Sequence, residues 1–181
     1  QDLGIAEARF LAALGGLRLD ALFFAGDLGQ RIFQQPFSWR MLGLDVRGRS
    51  NTLRINYRTS HQIRQQADRL LPKSVSDVDG NTESRKGTVS MFDGPAPLIH
   101  ECEDEPAEIG FVANWLRERV AAGLQPEEIG IIVRSEHELR RARAAVKAAG
   151  LTAIGADGLT AAEKGRLVIL TMHDAKGLEF R

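Results

Sequence analysis

The 181-residue sequence is poor in cysteine and has no long apolar run. Cys102 is the only cysteine, which excludes an internal disulfide and favours a reducing compartment. No apolar run approaches the ~20 residues that a membrane-spanning helix requires, and the first ten residues lack the pattern of a signal peptide. We therefore expect a cytoplasmic protein with no membrane partner.

The sequence also lacks an excess of charge of either sign. Lys and Arg together number 24, and Asp and Glu together number 24. This balance excludes a broad electrostatic attraction to nucleic acid, so any such contact must be local. The scarcity of cysteine also argues against a metal cluster, and we predict no metal ligands.

Apolar patterning, with a hydrophobic fraction of 43%, predicts strands that alternate with helices. Helical stripes begin after capping signals such as Ser60 and the pair Ser135 and Glu138, and they stop at Gly15, Gly123 and Gly150. Residues 73–97 are rich in turn formers and contain one credible strand, VSMF at 89–92. The pattern indicates an α/β fold with a mostly parallel sheet flanked by helices. Strands are predicted at 21–26, 52–55, 128–135 and 166–171, and all of these except 52–55 are typical of buried strands.

Asp27 and Gln30 directly follow the first predicted strand, in AGDLGQRIF. An amide such as Gln30 can donate to a phosphoryl oxygen and accept from an attacking water, and Asp27 can help to hold a phosphate or a water. A plain polar exit from a strand gives the same pattern. Both alternatives are open at this point.

Tyr57 and Arg58 lie side by side in INYRTS, between a predicted strand and a predicted helix. Tyr57 is suited to stacking on a flat base, and the guanidinium of Arg58 to binding phosphate oxygens. The alternative is structural: Tyr57 covers a sheet edge and Arg58 caps a carbonyl.

The segment TMHDAKGLEF, at 171–180, concentrates polar side chains around Gly177 directly after a buried strand: Thr171, His173, Asp174, Lys176 and Glu179. His173 and Lys176 are suited to a nucleic-acid backbone, and Glu179 to a ribose hydroxyl. The alternative is a solvated loop closed by an ion pair between Lys176 and Glu179, worth under ~1 kcal/mol.

Two further residues are candidates for nucleic-acid contact. Trp39, in QPFSWR, can stack on an unpaired base or anchor a surface loop. Arg134, at the end of IIVRS, can contact a phosphate or cap the end of a strand.

Five segments, taken in order, resemble successive motifs of UvrD/Rep-type superfamily 1 DNA helicases, and they extend over the whole chain. They are QDLG at 1–4, GDLGQRIF at 26–33, LRINYRTS at 53–60, IIVRS at 131–135 and TMHDAKGLEF at 171–180. The resemblance implies a RecA-like (P-loop NTPase-type) fold. It also implies a cleft between two such domains that binds ATP with Mg²⁺.

The resemblance assigns roles to the matching residues. Gln30 of the GDLGQ motif senses the terminal phosphate, Tyr57 stacks on adenine and Arg58 contacts a phosphate, so Gln30 and Arg58 are the predicted catalytic residues. Gly177 and Glu179 are further predicted contacts to the nucleotide. Contacts to DNA are implied for Trp39, Thr171, His173 and Lys176.

The sequence departs from the family pattern at two places. The inserted QQPF, at 34–37, adds four residues between the GDLGQ motif and Trp39. Asp174 stands where the family usually has serine, and a carboxylate beside a DNA phosphate is repulsive.

The resemblance further implies that residues 1–51 are the tail of the first RecA-like domain and that 52–181 are most of the second, without a large accessory insertion. The whole protein would be an ATP-dependent helicase or translocase that moves 3′-to-5′ on single-stranded or partly duplex DNA. No GxxxxGK[ST] loop or final arginine motif is present, and the sequence does not begin with Met. We therefore expect an internal fragment that is inactive without the remainder of its parent chain.

Two other functions stay open. A RecA-like module can bind nucleic acid or a partner protein without acting as a motor, and its parent would then lack the GxxxxGK[ST] loop. A helicase motor can also be joined to a nuclease, which would appear as a nuclease motif elsewhere in the parent.

Overall fold

The computed structural model describes residues 2–15, 18, 20–30, 35–72, 74–84, 86–158 and 164–180. The chain divides into two compact units, Gln1–Leu98 and Ile99–Arg181. This division does not test the predicted assignment of 1–51 and 52–181 to two RecA-like domains, which stays a prediction. Gln1 of the first motif and residues 31–34 lie outside the described residues.

Among its described residues, the first unit contains two α-helices and four very short strands. The strands β1 and β4 pair in parallel, with Ile55 opposite Val89, and β2 and β3 form an antiparallel hairpin. The elements in chain order are α1 (Ile5–Gly15), β1 (Ile55–Asn56), α2 (His61–Asp68), β2 (Ser74–Ser76), β3 (Thr82–Ser84) and β4 (Val89–Ser90).

The second unit is a parallel sheet packed against helices. Its elements are α3 (Glu105–Ala121), β5 (Gly130–Val133), α4 (Leu139–Ala148), β6 (Ala153–Ile154) and β7 (Leu167–Thr171). The sheet has the order β5-β7-β6, and both pairings are parallel. The central strand β7 is buried at every position. Its core neighbours are Leu116, Ile129, Ala142 and Val146.

This architecture confirms the predicted α/β class with parallel strands, whereas the RecA-like arrangement of the whole sheet stays a prediction. The predicted start of α2 is also confirmed, because Ser60 Oγ accepts a hydrogen bond from the Ile63 N–H at 3.4 Å. The predicted Ser135–Glu138 capping box forms, with Glu138 Oε2 accepting from the Ser135 N–H at 2.7 Å, but it caps a 3₁₀ turn at Glu136–Glu138 that leads into α4. These side chains satisfy N–H groups that the first turn of a helix leaves unpaired.

The predicted strand at 21–26 is wrong. The structure assigns no strand there, and the side chain of Phe23 is 91% exposed. An apolar run becomes a buried strand only where neighbouring strands accept its backbone hydrogen bonds, and none pairs with it within the described part of this unit. The predicted strand at 52–55 shares only Ile55 with β1, and the predicted strand at 89–92 is shortened to β4.

The β2–β3 hairpin was not predicted, because its strands contain mainly serine and polar residues. Its turn is fixed by side chains instead. Asp77 accepts hydrogen bonds from the backbone N–H and the side-chain amide of Asn81, each at 2.8 Å. Gly80 supplies the positive φ of 81° that the turn requires.

No helix in the described ranges is both long enough and apolar enough to cross a membrane.

Alanine substitutions at two glycines of the second unit should change its stability in opposite directions. A methyl group at Gly130 would lie 2.6 Å from Cδ2 of Phe180, whereas one at Gly110, inside α3, would meet nothing within 4 Å. We expect Gly130→Ala to lower the free energy of unfolding by about 1–3 kcal/mol through overpacking. Gly110→Ala should raise it by about 0.5–1 kcal/mol, because alanine favours the helix.

Urea unfolding followed by far-ultraviolet circular dichroism measures both changes. An unchanged midpoint for Gly130→Ala would contradict the packing of Phe180 against β5. Gly110→Ala serves as its control, because it adds the same methyl group in open space.

Candidate functional site

An open cavity of about 370 Å³ lies in the first unit and brings together three predicted nucleotide-binding residues. Asp27, Tyr57 and Arg58 line it, with a second arginine, Arg64, and the carboxylate of Glu83. Its wall therefore carries two cationic and two anionic groups around one exposed aromatic ring. The remaining lining residues are Thr52, Leu53, Ile55, Asn56, Ser84 and Thr88.

The turn that presents Tyr57 and Arg58 is fixed by Asn56. Its side-chain oxygen accepts hydrogen bonds from the N–H of Arg58 at 2.9 Å and of Thr59 at 3.0 Å. The next residue, Ser60, caps α2. Between these two anchors the backbone is held, while the side chain of Tyr57 is 70% exposed. The aromatic ring and the guanidinium are thus displayed side by side on a rigid turn.

Asp27 orients Gln30. One carboxylate oxygen of Asp27 accepts a hydrogen bond from the Gly29 N–H at 2.8 Å, and the other accepts one from Gln30 Nε2 at 2.9 Å. Residues Leu28–Gln30 form a single 3₁₀ turn, closed by the Gln30 N–H and the Asp27 carbonyl at 3.1 Å. Because Nε2 donates to Asp27, the amide presents Oε1 as an acceptor for a water or another donor.

Sequence reasoning missed Arg64, whose side chain is only 13% exposed. Its Nε donates to Ser90 Oγ at 3.0 Å, and its Nη1 donates to Asp68 Oδ2 at 2.7 Å. Arg64 therefore ties α2 to β4 behind the turn that carries Tyr57. The spacing of four residues to Asp68 was a visible sign of an ion pair along the helix, but the contact with β4 depends on the fold.

The predicted DNA-contact residues of the second unit share one edge of its sheet. Val133 pairs with Thr171, and the Met172 N–H donates to the Val133 carbonyl at 2.8 Å. Arg134 therefore leaves β5 beside the turn that follows β7. In parallel sheets this carboxyl edge is where ligands usually bind.

The turn after β7 is held by an internal hydrogen bond. Thr171 Oγ1 donates to Asp174 Oδ2 at 2.7 Å and accepts from the Asp174 N–H at 3.3 Å. Gly177 closes the turn with a positive φ of 86°. The carboxylate that replaces the family's serine thus helps to shape the turn that carries His173 and Lys176. Glu179 follows this turn and is exposed.

Trp39 lies in an aromatic cluster of the first unit. Its ring centroid is 4.9 Å from that of Phe24 and 4.9 Å from that of Phe37, which is buried. The indole is half-buried, so a base could use only the part of the ring that the two phenylalanines leave exposed. Base stacking by Trp39 stays a prediction.

Within the described ranges, no group of three or more His, Cys, Asp or Glu side chains is arranged to hold a metal ion.

The sequence is similar to proteins described as ATP-dependent DNA helicase UvrD2 from Mycobacterium bovis and Mycobacterium tuberculosis, at 31% identity over 139 residues. The alignment covers 74% of this chain but 19% of each relative, so the chain spans about one fifth of their length. No family model matches the chain. No solved structure matches it either. The chain is thus related to UvrD-like DNA helicases.

The turn around Tyr57 and Arg58 can be tested through Asn56. Asn56→Ala removes the acceptor of two backbone hydrogen bonds, each worth about 0.5–1.5 kcal/mol, so the Arg58 and Thr59 amides should exchange with solvent roughly 2- to 10-fold faster. Asn56→Asp keeps the acceptor and should retain the protection. Amide exchange followed by NMR measures this, and equal rates in the wild type and Asn56→Ala would contradict the proposed anchor.

Proposed function

We propose that this chain supplies part of the ATP-binding cleft and part of the DNA-contact surface of an ATP-dependent DNA helicase or translocase. The observation that carries the proposal is the convergence of Asp27, Tyr57 and Arg58 on one cavity. The similarity to UvrD2 helicases supports the proposal independently of the cavity, because the alignment compares sequences alone. The remainder of the parent chain completes the motor.

At the nucleotide, each residue has a distinct task. The exposed ring of Tyr57 stacks on adenine, and the guanidinium of Arg58 binds a phosphate oxygen as negative charge develops there. Gln30, oriented by Asp27, faces the terminal phosphate or the attacking water. The resemblance adds Gly177 and Glu179 as nucleotide contacts.

Mg²⁺, bound with ATP, neutralises phosphate charge in such sites. We expect its acidic ligands to lie upstream of Gln1 in the parent, because the resemblance places them just before the QD pair.

At the DNA, the second unit provides a local cationic edge. Arg134, His173 and Lys176 contact phosphates, and Thr171 supports the turn between them. In the first unit, Trp39 stacks on an unpaired base. The proposed motor moves 3′-to-5′ along single-stranded DNA as its nucleotide cleft opens and closes.

The decisive experiment measures ATP hydrolysis by the longer polypeptide that carries this chain, with and without single-stranded DNA, at stated salt. Strong stimulation by DNA supports a nucleic-acid motor. Absence of hydrolysis under both conditions would favour the non-motor module instead. Cleavage of the DNA in the same assay would identify a helicase joined to a nuclease.

Arg58→Ala in that polypeptide should lower the turnover number by about 10²- to 10³-fold, with a small effect on nucleotide affinity. The reason is that the guanidinium contact strengthens as charge develops in the transition state. Steady-state ATPase assays measure the change. Arg69→Ala is the control, because Arg69 is exposed, pairs with Gln66 and does not line the cavity. Equal turnover in the two variants would remove Arg58 from the mechanism.

Tyr57→Ala should instead weaken nucleotide binding on the order of tenfold, because stacking on a base is worth about 1–3 kcal/mol. Tyr57→Phe keeps the ring and should bind almost normally. Titration with a fluorescent ATP analogue distinguishes them, and the stacking role is lost if the alanine variant binds as tightly as the wild type.

A further inference from the structure

The tip of the β2–β3 hairpin is bound to the loop that carries Trp39. The carboxylate of Asp79 accepts a hydrogen bond from Ser38 Oγ with one oxygen and one from the Arg40 N–H, at 3.2 Å, with the other. Ser38 Oγ also accepts from the Met41 N–H at 3.1 Å. The two residues on either side of Trp39 are therefore both held by one side chain about 40 positions away in the sequence.

The hairpin is a firm base for this contact. Asp77 fixes the turn through its two hydrogen bonds to Asn81, and the strands on either side pair in register from Ser74 and Ser84 to Ser76 and Thr82. Asp79 lies inside this turn, so its carboxylate is attached to a backbone that is already ordered by other hydrogen bonds. The hydrogen bonds to Asp79 therefore form a tether that constrains residues 38 and 40 more than it displaces the hairpin.

Residues 38–41, here called the Trp39 loop, require additional contacts to hold them in one conformation. Eight residues separate Trp39 from Gln30, and a longer connection leaves the ring more conformational freedom to lose when it is ordered. Packing against Phe24 and Phe37 orders the ring only in part, because the indole stays partly exposed. The hydrogen bonds to Asp79 hold the Ser38 side chain on one side of the ring and the Arg40 backbone on the other.

We propose that Asp79 is a positioning residue, which holds the Trp39 loop on the hairpin so that the exposed part of the indole stays in place for an unpaired base. This inference rests on the proposed function, which assigns Trp39 to single-stranded DNA. Asp79 itself does not touch the nucleic acid.

The tether is sensitive to acid in a defined direction. The hydrogen bond from Ser38 is the main reason why the pKa of Asp79 lies below its usual value, and the N–H groups of Arg40 and Trp39 lower it further. A carboxylate with a depressed folded pKa adds stability above its unfolded pKa and loses it as pH falls through the folded value. The tether is thus fully present at neutral pH.

The experiment uses a Trp115→Phe background, in which Trp39 is the only tryptophan. Acrylamide quenching of Trp39 emission in the 181-residue chain reports how well the ring is held. The variants are Asp79→Ala, Ser38→Ala and the double variant. Asp45→Ala is the matched control, because Asp45 is an exposed carboxylate that pairs with Arg47 and makes no hydrogen bond to residues 38–41 within the described contacts.

Asp79→Ala should raise the quenching constant of Trp39 about twofold, and Ser38→Ala should raise it as well. The two effects should be less than additive in the double variant, because the two side chains share one hydrogen bond. In the longer polypeptide, Asp79→Ala should weaken binding of a labelled oligothymidylate about 3- to 10-fold, which is part of the value of one stacked base. Asp45→Ala should leave the quenching constant unchanged, and its DNA affinity measures the effect of losing one negative charge.

Each of the other possible results contradicts one part of the inference. Unchanged quenching in Asp79→Ala overturns the tether. Raised quenching with a DNA affinity equal to that of Asp45→Ala makes the contact merely structural and overturns the positioning role. Failure of the unsubstituted polypeptide to bind oligothymidylate contradicts the proposed function itself, and with it the base-stacking half of this inference, while the quenching data still decide whether the tether exists.

Discussion

The burial of β7 is the constraint on which the second unit depends. All five residues of Leu167–Thr171 are buried, and a strand in this position must give its backbone hydrogen bonds to neighbours on both sides. Those neighbours are parallel, so β5 and β7 end at the same edge and release Arg134 and the turn after Thr171 side by side. The candidate DNA edge is therefore a geometric consequence of the burial of β7, whose apolar residues are Leu167–Leu170.

The first unit is held in a different way. Its strands have two or three residues each, too few to order the connections between them. Short polar side chains replace the missing ladders by bonding to nearby backbone N–H groups. Asp27, Asn56 and Ser60 do so at the candidate nucleotide site, and Asp77 and Asp79 do so at the hairpin. The geometry of this site thus depends largely on side chains that form hydrogen bonds with its backbone.

This contrast explains what the sequence could predict. Helices such as α3 and α4 could be predicted from caps and apolar stripes, because these are local signals. The apolar run at 21–26 was misjudged because burial depends on neighbouring strands, and Phe23 has none to cover it among the described residues. For the site, motifs identified Asp27, Tyr57 and Arg58, which the structure gathers at one cavity. The contacts of Arg64 with Ser90 and of Asp79 with Ser38 could not be found, because these partners are distant in sequence. The catalytic and binding roles themselves stay predictions.

The balance of charge has a consequence for the proposed motor. With equal numbers of acidic and basic residues, binding to DNA cannot rest on a broad cationic surface. The candidate edge is moderated further, because Asp174 places a carboxylate in the turn that carries His173 and Lys176, where it also shapes the turn through Thr171. A translocating protein must release each phosphate that it binds before it can advance. In the proposed motor, a cationic edge with a built-in anion would make local contacts that can be exchanged, and a base stacked on Trp39 would retain the strand between steps.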